Sequence, residues 1–238
     1  MSSSGMNSSG TITLVLLPGM DGTGELFEPL LSALEGQFNT LVVSYPNDRS
    51  LSYAELQSIV LKALPTDSPF VLLGESFSGP IAILLAALQP SQLKGLVLCS
   101  TFVRNPRPRL RGLSFLLNIL PLHPVPIGLI STLLLGHFST PALRRSLHRA
   151  ISLVTPSVMR ARLRAVLTVD VAKELACVSV PTLYLRATHD RLVLATASAL
   201  ISQLKPDIRI TDLDAPHCAL QAAPHNATKS IKAFVSSL

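Results

Sequence analysis

The stretch Phe70-Val71-Leu72-Leu73-Gly74-Glu75-Ser76-Phe77-Ser78-Gly79-Pro80-Ile81-Ala82-Ile83-Leu84-Leu85 decides the fold. Phe70 to Leu73 is a short apolar run that stops at a glycine, the pattern of a strand buried on both faces of a parallel sheet. Pro80 to Leu88 reads as a helix. Small residues at 74 and 78 let the chain turn tightly between the two. Such a turn holds Ser76 in strained geometry at the carboxyl edge of a sheet, beside a helix N-terminus. The motif is Gly-x-Ser-x-Ser-Gly, with Ser78 standing where the general nucleophile elbow has glycine. Gly-x-Ser arises often by chance. The strand–turn–helix context makes this one specific.

Outward from the elbow, the same alternation repeats. Thr11–Leu17 and Thr40–Ser44 read as strands before it, and Leu93–Cys99 as a strand after it. Helical spacing runs from Phe27 to Leu34, and Ser52 with Glu55 three residues on forms a capping-box pattern. Near the C-terminus Thr182–Arg186 and Ile208–Asp212 read as strands, Ala195–Leu204 and Ala227–Val235 as helices. Strand–helix alternation on both sides of the chain predicts a doubly wound, mainly parallel α/β sheet of about six strands. No internal repeat is visible.

The two halves are separated by residues 102–169, an insert after the fourth strand with helical candidates at Leu113–Leu120, Ile127–Leu135, Pro141–Val154 and Ser157–Leu167. An insert that returns to the same sheet reads as a cap over a core of residues 11–101 and 170–238. The insert holds ten arginines and no acid, so it carries +10, while the net +6 of the chain leaves −4 elsewhere. Leu113 to Leu135 is apolar enough to suggest a membrane segment. Pro121, Pro124 and Pro126 interrupt it and argue against a spanning helix. Nucleic-acid binding fits the basic insert poorly, because aromatic residues for stacking make up only 5% of the chain.

Composition sets the remaining bounds. The chain has 238 residues, 48% hydrophobic and 14% charged, with mean hydropathy +0.45, enough for one domain with a sizeable core. Residues 1–10 lack a basic and an apolar region and read as a mobile tail rather than a secretory signal. Cys99, Cys177 and Cys218 have no metal-like spacing and read as buried free thiols in a reducing, cytoplasmic compartment.

Two further loops complete the candidate chemistry. The strand Thr182–Arg186 leads into Ala187-Thr188-His189-Asp190, and the last strand into Leu213-Asp214-Ala215-Pro216-His217. Both candidates fall just past a strand's carboxyl end, where the sites of open α/β sheets lie. With the elbow, these loops resemble the α/β-hydrolase fold family over nearly the whole chain after the tail. The pattern is similar to its small capped serine esterases, such as the pimeloyl-carrier-protein methyl ester esterases. The resemblance implies the order nucleophile, acid, histidine: Ser76, Asp190 and His217. It also implies an oxyanion hole from the backbone N–H groups of Phe77 and of Met20, in the loop Pro18-Gly19-Met20-Asp21-Gly22-Thr23-Gly24. Asp170 and Asp214 are the rivals for the acid, and His225 for the base. His123, His137, His148 and His189 read as structural or solvated, and Glu75 and Asp21 as needing no catalytic role.

A serine nucleophile implies acyl transfer to water, with no metal or organic cofactor, and argues against relatives that attack with aspartate. The apolar insert predicts an acyl pocket and a small-molecule carboxylic ester of small to medium chain length. A second reading is an ester or thioester on an acidic acyl carrier or coenzyme A, drawn by the basic insert. A third, of another class, is an inactive binding protein on the same fold.

Overall fold

The computed structural model describes residues 12–108 and 127–238. The expected tail and the helix expected over Leu113–Leu120 lie outside the described residues. Six strands form one parallel sheet: β1 (Thr13–Leu17), β2 (Asn39–Val42), β3 (Phe70–Glu75), β4 (Leu93–Cys99), β5 (Thr182–Ala187) and β6 (Arg209–Leu213). Their order is β2-β1-β3-β4-β5-β6, and all five pairings are parallel. The doubly wound α/β expectation holds.

The period of two along each strand sorts the core into two layers. Val15 and Leu17 of β1, Phe70 and Leu72 of β3, and Leu96 and Leu98 of β4 face one layer. That layer is closed by α2 (Tyr53–Ala63), α3 (Gly79–Ala87), α7 (Ala172–Ala176) and α8 (Ala195–Leu204). Leu14, Leu16, Val71, Leu73, Val97 and Cys99 face the other, against α1 (Glu28–Leu34), α9 (Ala219–Ala222) and α10 (Pro224–Val235). The central strand β3 is buried at every residue, which is why it reads as a continuous apolar run and not as an alternation. Helix α2 begins with the expected capping box: the Ser52 hydroxyl accepts from the Glu55 N–H, and the Glu55 carboxylate accepts from the Ser52 N–H at 2.8 Å.

The chain leaves the sheet after β4 and returns at Asp170, where an isolated bridge ties Arg104 to Asp170 and the Val171 N–H donates to the Val103 carbonyl. Between these points lie α4 (Ile127–Leu134), α5 (Pro141–Ser152) and α6 (Pro156–Thr168). They sit above the carboxyl ends of the strands, sharing a cavity wall with the residues there. Leu135 and Leu147 form a third apolar cluster with Cys218 of the core. Among the described residues no helix is long and apolar enough to cross a membrane. Cys177 is exposed, contrary to the expectation of three buried thiols, because it ends α7 on the outer surface; Cys99 and Cys218 are buried.

Candidate active site

In the strand order, β1 is flanked by β2 on one side and β3 on the other, so successive connections leave in opposite directions. A crevice opens at such a switch point, outside the carboxyl ends of β1 and β3. The turn Gly19–Gly22 follows β1 and the elbow follows β3, so both border it.

Ser76 has φ +49°, a conformation that L-residues rarely adopt, and starts a single 3-10 turn that runs into α3. The surroundings enforce it. A Cβ on Gly79 would stand 1.9 Å from the Thr101 Oγ1, and one on Gly74 2.8 Å from the Ser78 carbonyl oxygen. The Thr101 hydroxyl in turn donates to the Ser76 carbonyl. Residues 74 and 79 are thus the steric requirement of the turn. Ser78 plays a different part: its hydroxyl donates to the Pro18 carbonyl and pairs with the Tyr45 hydroxyl at 2.7 Å.

The Ser76 Oγ lies 2.8 Å from the His217 Nε2, and the His217 Nδ1 lies 2.7 Å from the Asp190 Oδ2. The second Asp190 oxygen accepts from the backbone N–H groups of Leu192 and Val193 at 2.8 and 2.9 Å. Both the His217 and Asp190 side chains are buried. The fold therefore brings Ser76, His217 and Asp190 into one hydrogen-bonded chain from the ends of β3, β6 and β5. Burial alone would lower the His217 pKa; the Asp190 charge and hydrogen bond, with Glu75 nearby, outweigh it and hold it above the ordinary histidine value.

The rivals lie elsewhere. Asp170 pairs with Arg104 and accepts from the Ala172 N–H at the start of α7, while Asp214 points to solvent and pairs with His189. His225 is exposed in the first turn of α10. Cys218 follows His217, but burial pushes its thiol well above the usual value, so it stays protonated.

Met20 and Phe77 flank Ser76 from the two loops. Phe77 is fully buried, stacked on Tyr53 at 4.8 Å, and its carbonyl accepts from the Tyr53 hydroxyl. Met20 occupies the turn closed by the Gly22 N–H donating to the Gly19 carbonyl at 3.0 Å. Gly19, Met20, Ser76 and His217 line a cavity of about 320 Å³. Its remaining wall is mostly aliphatic and comes largely from the insert: Ile130, Leu134, Leu147, Ile151, Met159 and Leu163. Among the described residues no cluster of His, Cys, Asp and Glu could hold a metal ion.

Two features escaped the sequence. Glu75 is buried on the cavity wall, accepts from the Gln221 amide at 3.0 Å, and is pushed up to about 7 by burial, with Asp21 adding to the shift. Arg162 of α6 is 2% exposed, donates to the carbonyls of Met20, Asp21 and Pro46, and lies against the Tyr45 and Phe77 rings. Its signal was faint: Val158 and Arg162, four apart, share the buried face of α6.

Comparison with known proteins agrees with this architecture. Among solved structures, the enol-lactonase from Burkholderia xenovorans LB400 superimposes with a TM-score of 0.83 at 17% identity, covering 98% of this chain and 94% of that one. A thermophilic esterase from Thermogutta terrifontis gives 0.81 at 19% identity, covering 96% and 91%. A hydrolase from Pseudomonas aeruginosa PA01 gives 0.81 at 19%, covering 95% and 91%. A search of curated protein sequences finds no match. A profile of the alpha/beta hydrolase family matches residues 14–228, nine-tenths of the chain, and this protein is a hydrolase belonging to that family.

Proposed function

We propose that this hydrolase cleaves carboxylic esters of small to medium acyl chains by a serine mechanism, with the insert as a cap over the acyl pocket. The observation that carries the reading is the hydrogen-bonded chain Ser76–His217–Asp190 at the floor of an apolar cavity. Ser76 is a weak nucleophile until a base takes its proton. As the Oγ attacks the ester carbon, the proton passes to the His217 Nε2, and the carbonyl oxygen becomes an oxyanion. The N–H groups of Met20 and Phe77 would stabilise that charge. Asp190 fixes the imidazole tautomer and supports the imidazolium. The ester C–O bond then breaks, His217 returns the proton to the leaving alkoxide, and water repeats the sequence on the acyl-enzyme.

The aliphatic wall favours an acyl chain over a polar one, since burying hydroxyls without partners there costs about 1–3 kcal/mol each. A panel of p-nitrophenyl esters from acetate to decanoate, with acyl-thioesters beside it, tests the assignment. Hydrolysis lost by about 10⁶ in Ser76→Ala supports it. Activity of that variant within tenfold of wild type refutes it.

A further inference from the structure

Arg162 belongs to the insert, yet it ends inside the core at the back of the turn that carries Met20. Its Nη1 donates to the Asp21 carbonyl at 2.7 Å and to the Met20 carbonyl at 2.8 Å, and its Nη2 to the Pro46 carbonyl at 2.9 Å. A guanidinium held by backbone carbonyls in a site 2% exposed is costly to bury, so its place calls for a function. Gly22 has φ +69°, and a Cβ there would fall 2.5 Å from the Arg162 Nη1, so the turn is shaped around this side chain.

The Asp21 carbonyl and the Gly22 N–H belong to one trans peptide and point in opposite directions. The Gly22 N–H donates to the Gly19 carbonyl, which shares its own trans peptide with the Met20 N–H. The sequence of donors therefore runs from the Arg162 cation, through two aligned peptides, to the Met20 N–H. Hydrogen bonds in series polarise one another, by about 10–30% per bond, and more usefully where the dielectric is low.

We propose that Arg162 is a positioning residue that orients and polarises the Met20 N–H as an oxyanion donor, so that the oxyanion hole is complete only while α6 is docked. The inference rests on the serine-hydrolase reading and deepens it. Because α6 also supplies Met159 and Leu163 to the cavity wall, the helix that forms the acyl pocket also sets the strength of the donor. Arg162 itself does not line the cavity, so it acts through the turn and not on the substrate.

The test compares Arg162→Met and Arg162→Lys with wild type on p-nitrophenyl butyrate and on an alkyl trifluoromethyl ketone, whose hemiketal anion occupies an oxyanion hole. Arg162→Met should lower kcat by about 10–100-fold, less than deletion of a donor, with KM nearly unchanged. The ketone Ki should rise in step with the loss of kcat/KM, and Arg162→Lys, still cationic, should recover part of both. A raised KM at unchanged kcat, or a ketone Ki indifferent to the substitutions, overturns the proposal. If Arg162→Met does not fold, the same two readouts in Arg162→Lys decide it. Labelling of wild-type Ser76 by a fluorophosphonate separates failure of the serine reading from failure of this one. The Met20 amide proton shift, which should move upfield when Arg162 is replaced, tests the polarisation even without turnover, and an unmoved shift overturns it.

Discussion

The Ser78 hydroxyl donates to the carbonyl of Pro18, so the elbow after β3 is tied directly to the loop after β1. The same oxygen pairs with the Tyr45 hydroxyl from the loop after β2, and all three groups are buried. Three loops at the switch point of the sheet thus share one hydroxyl. A glycine at 78, as in the general elbow motif, would allow the turn but not this tie.

Ser78→Ala should therefore destabilise the protein by about 1–3 kcal/mol, because the Tyr45 hydroxyl and the Pro18 carbonyl lose a buried partner. Urea unfolding monitored by circular dichroism measures it. A change within 0.3 kcal/mol, read with about that precision, would mean water replaces the hydroxyl at no loss.

Asp190→Asn should reduce kcat by up to about 10⁴, since the amide presents the wrong partner to the His217 Nδ1. Asp170→Asn should leave turnover within about twofold of wild type, because exposed pairs such as Arg104–Asp170 contribute little. Steady-state assays of both variants on one ester decide between the two acids, and reversed outcomes would move the acid to Asp170.

These assignments differ in how far the sequence reveals them. Strands β3, β5 and β6 are runs of five or six residues, each ending in a loop that carries Gly, Asp or His, so Ser76, Asp190 and His217 are legible from local pattern and order. Ser76 and His217 are 141 residues apart, but the alternation of the fold brings them to one sheet edge. Arg162 is different. In sequence it is one of ten arginines in a basic insert, and only packing against a turn 141 residues away separates it from a solvated one. Ser78 stands out in the sequence as a departure from the motif, but its hydrogen bonds do not, because its partners Pro18 and Tyr45 come from other strands' loops.

The pH dependence follows from His217. In the proposed mechanism His217 must be neutral to accept the Ser76 proton, and its pKa is raised above 6.5 in the fold, so protonation would silence it at a higher pH than for a free imidazole. The acid limb of kcat/KM should have its midpoint above 6.5. Asp190→Asn should shift that limb to lower pH in the residual activity, because the main charge favouring imidazolium is gone. A limb that stays in place would assign it to another group.

Glu75 should leave a separate mark on stability. Its folded pKa of about 7 lies above the reference 4.5, chiefly through burial, so the native state holds a proton that the unfolded chain releases. Stability from this group is full below about 4.5 and is lost as pH rises to about 7, a swing on the order of 3 kcal/mol. Glu75→Gln cannot ionise and keeps an oxygen for the Gln221 amide. Relative to wild type it should gain stability progressively over that window and hold the gain above it. Urea titrations at several pH values measure the difference, and a gap independent of pH would show that Glu75 titrates normally.

The basic insert poses the last question, whether a carrier-bound acyl group is the natural substrate. Arg104 pairs with Asp170, Arg149 with Glu25, Arg107 with the carbonyls of Arg191 and Leu192, and Arg162 with the Met20 turn. Those side chains have duties within the molecule. Arg144 and Arg145 on α5 are exposed, and their field reaches about one Debye length, ~8 Å in physiological salt. If an acidic carrier docks there, reversal of both to Glu should lower kcat/KM for a carrier-bound acyl group by about tenfold or more at low salt, through the encounter rate. The deficit should shrink as salt rises. A neutral p-nitrophenyl ester feels no such steering and should turn over as in wild type. Equal loss on both substrates would place the effect in the packing of α5, and no loss on either would leave the free small ester as the substrate.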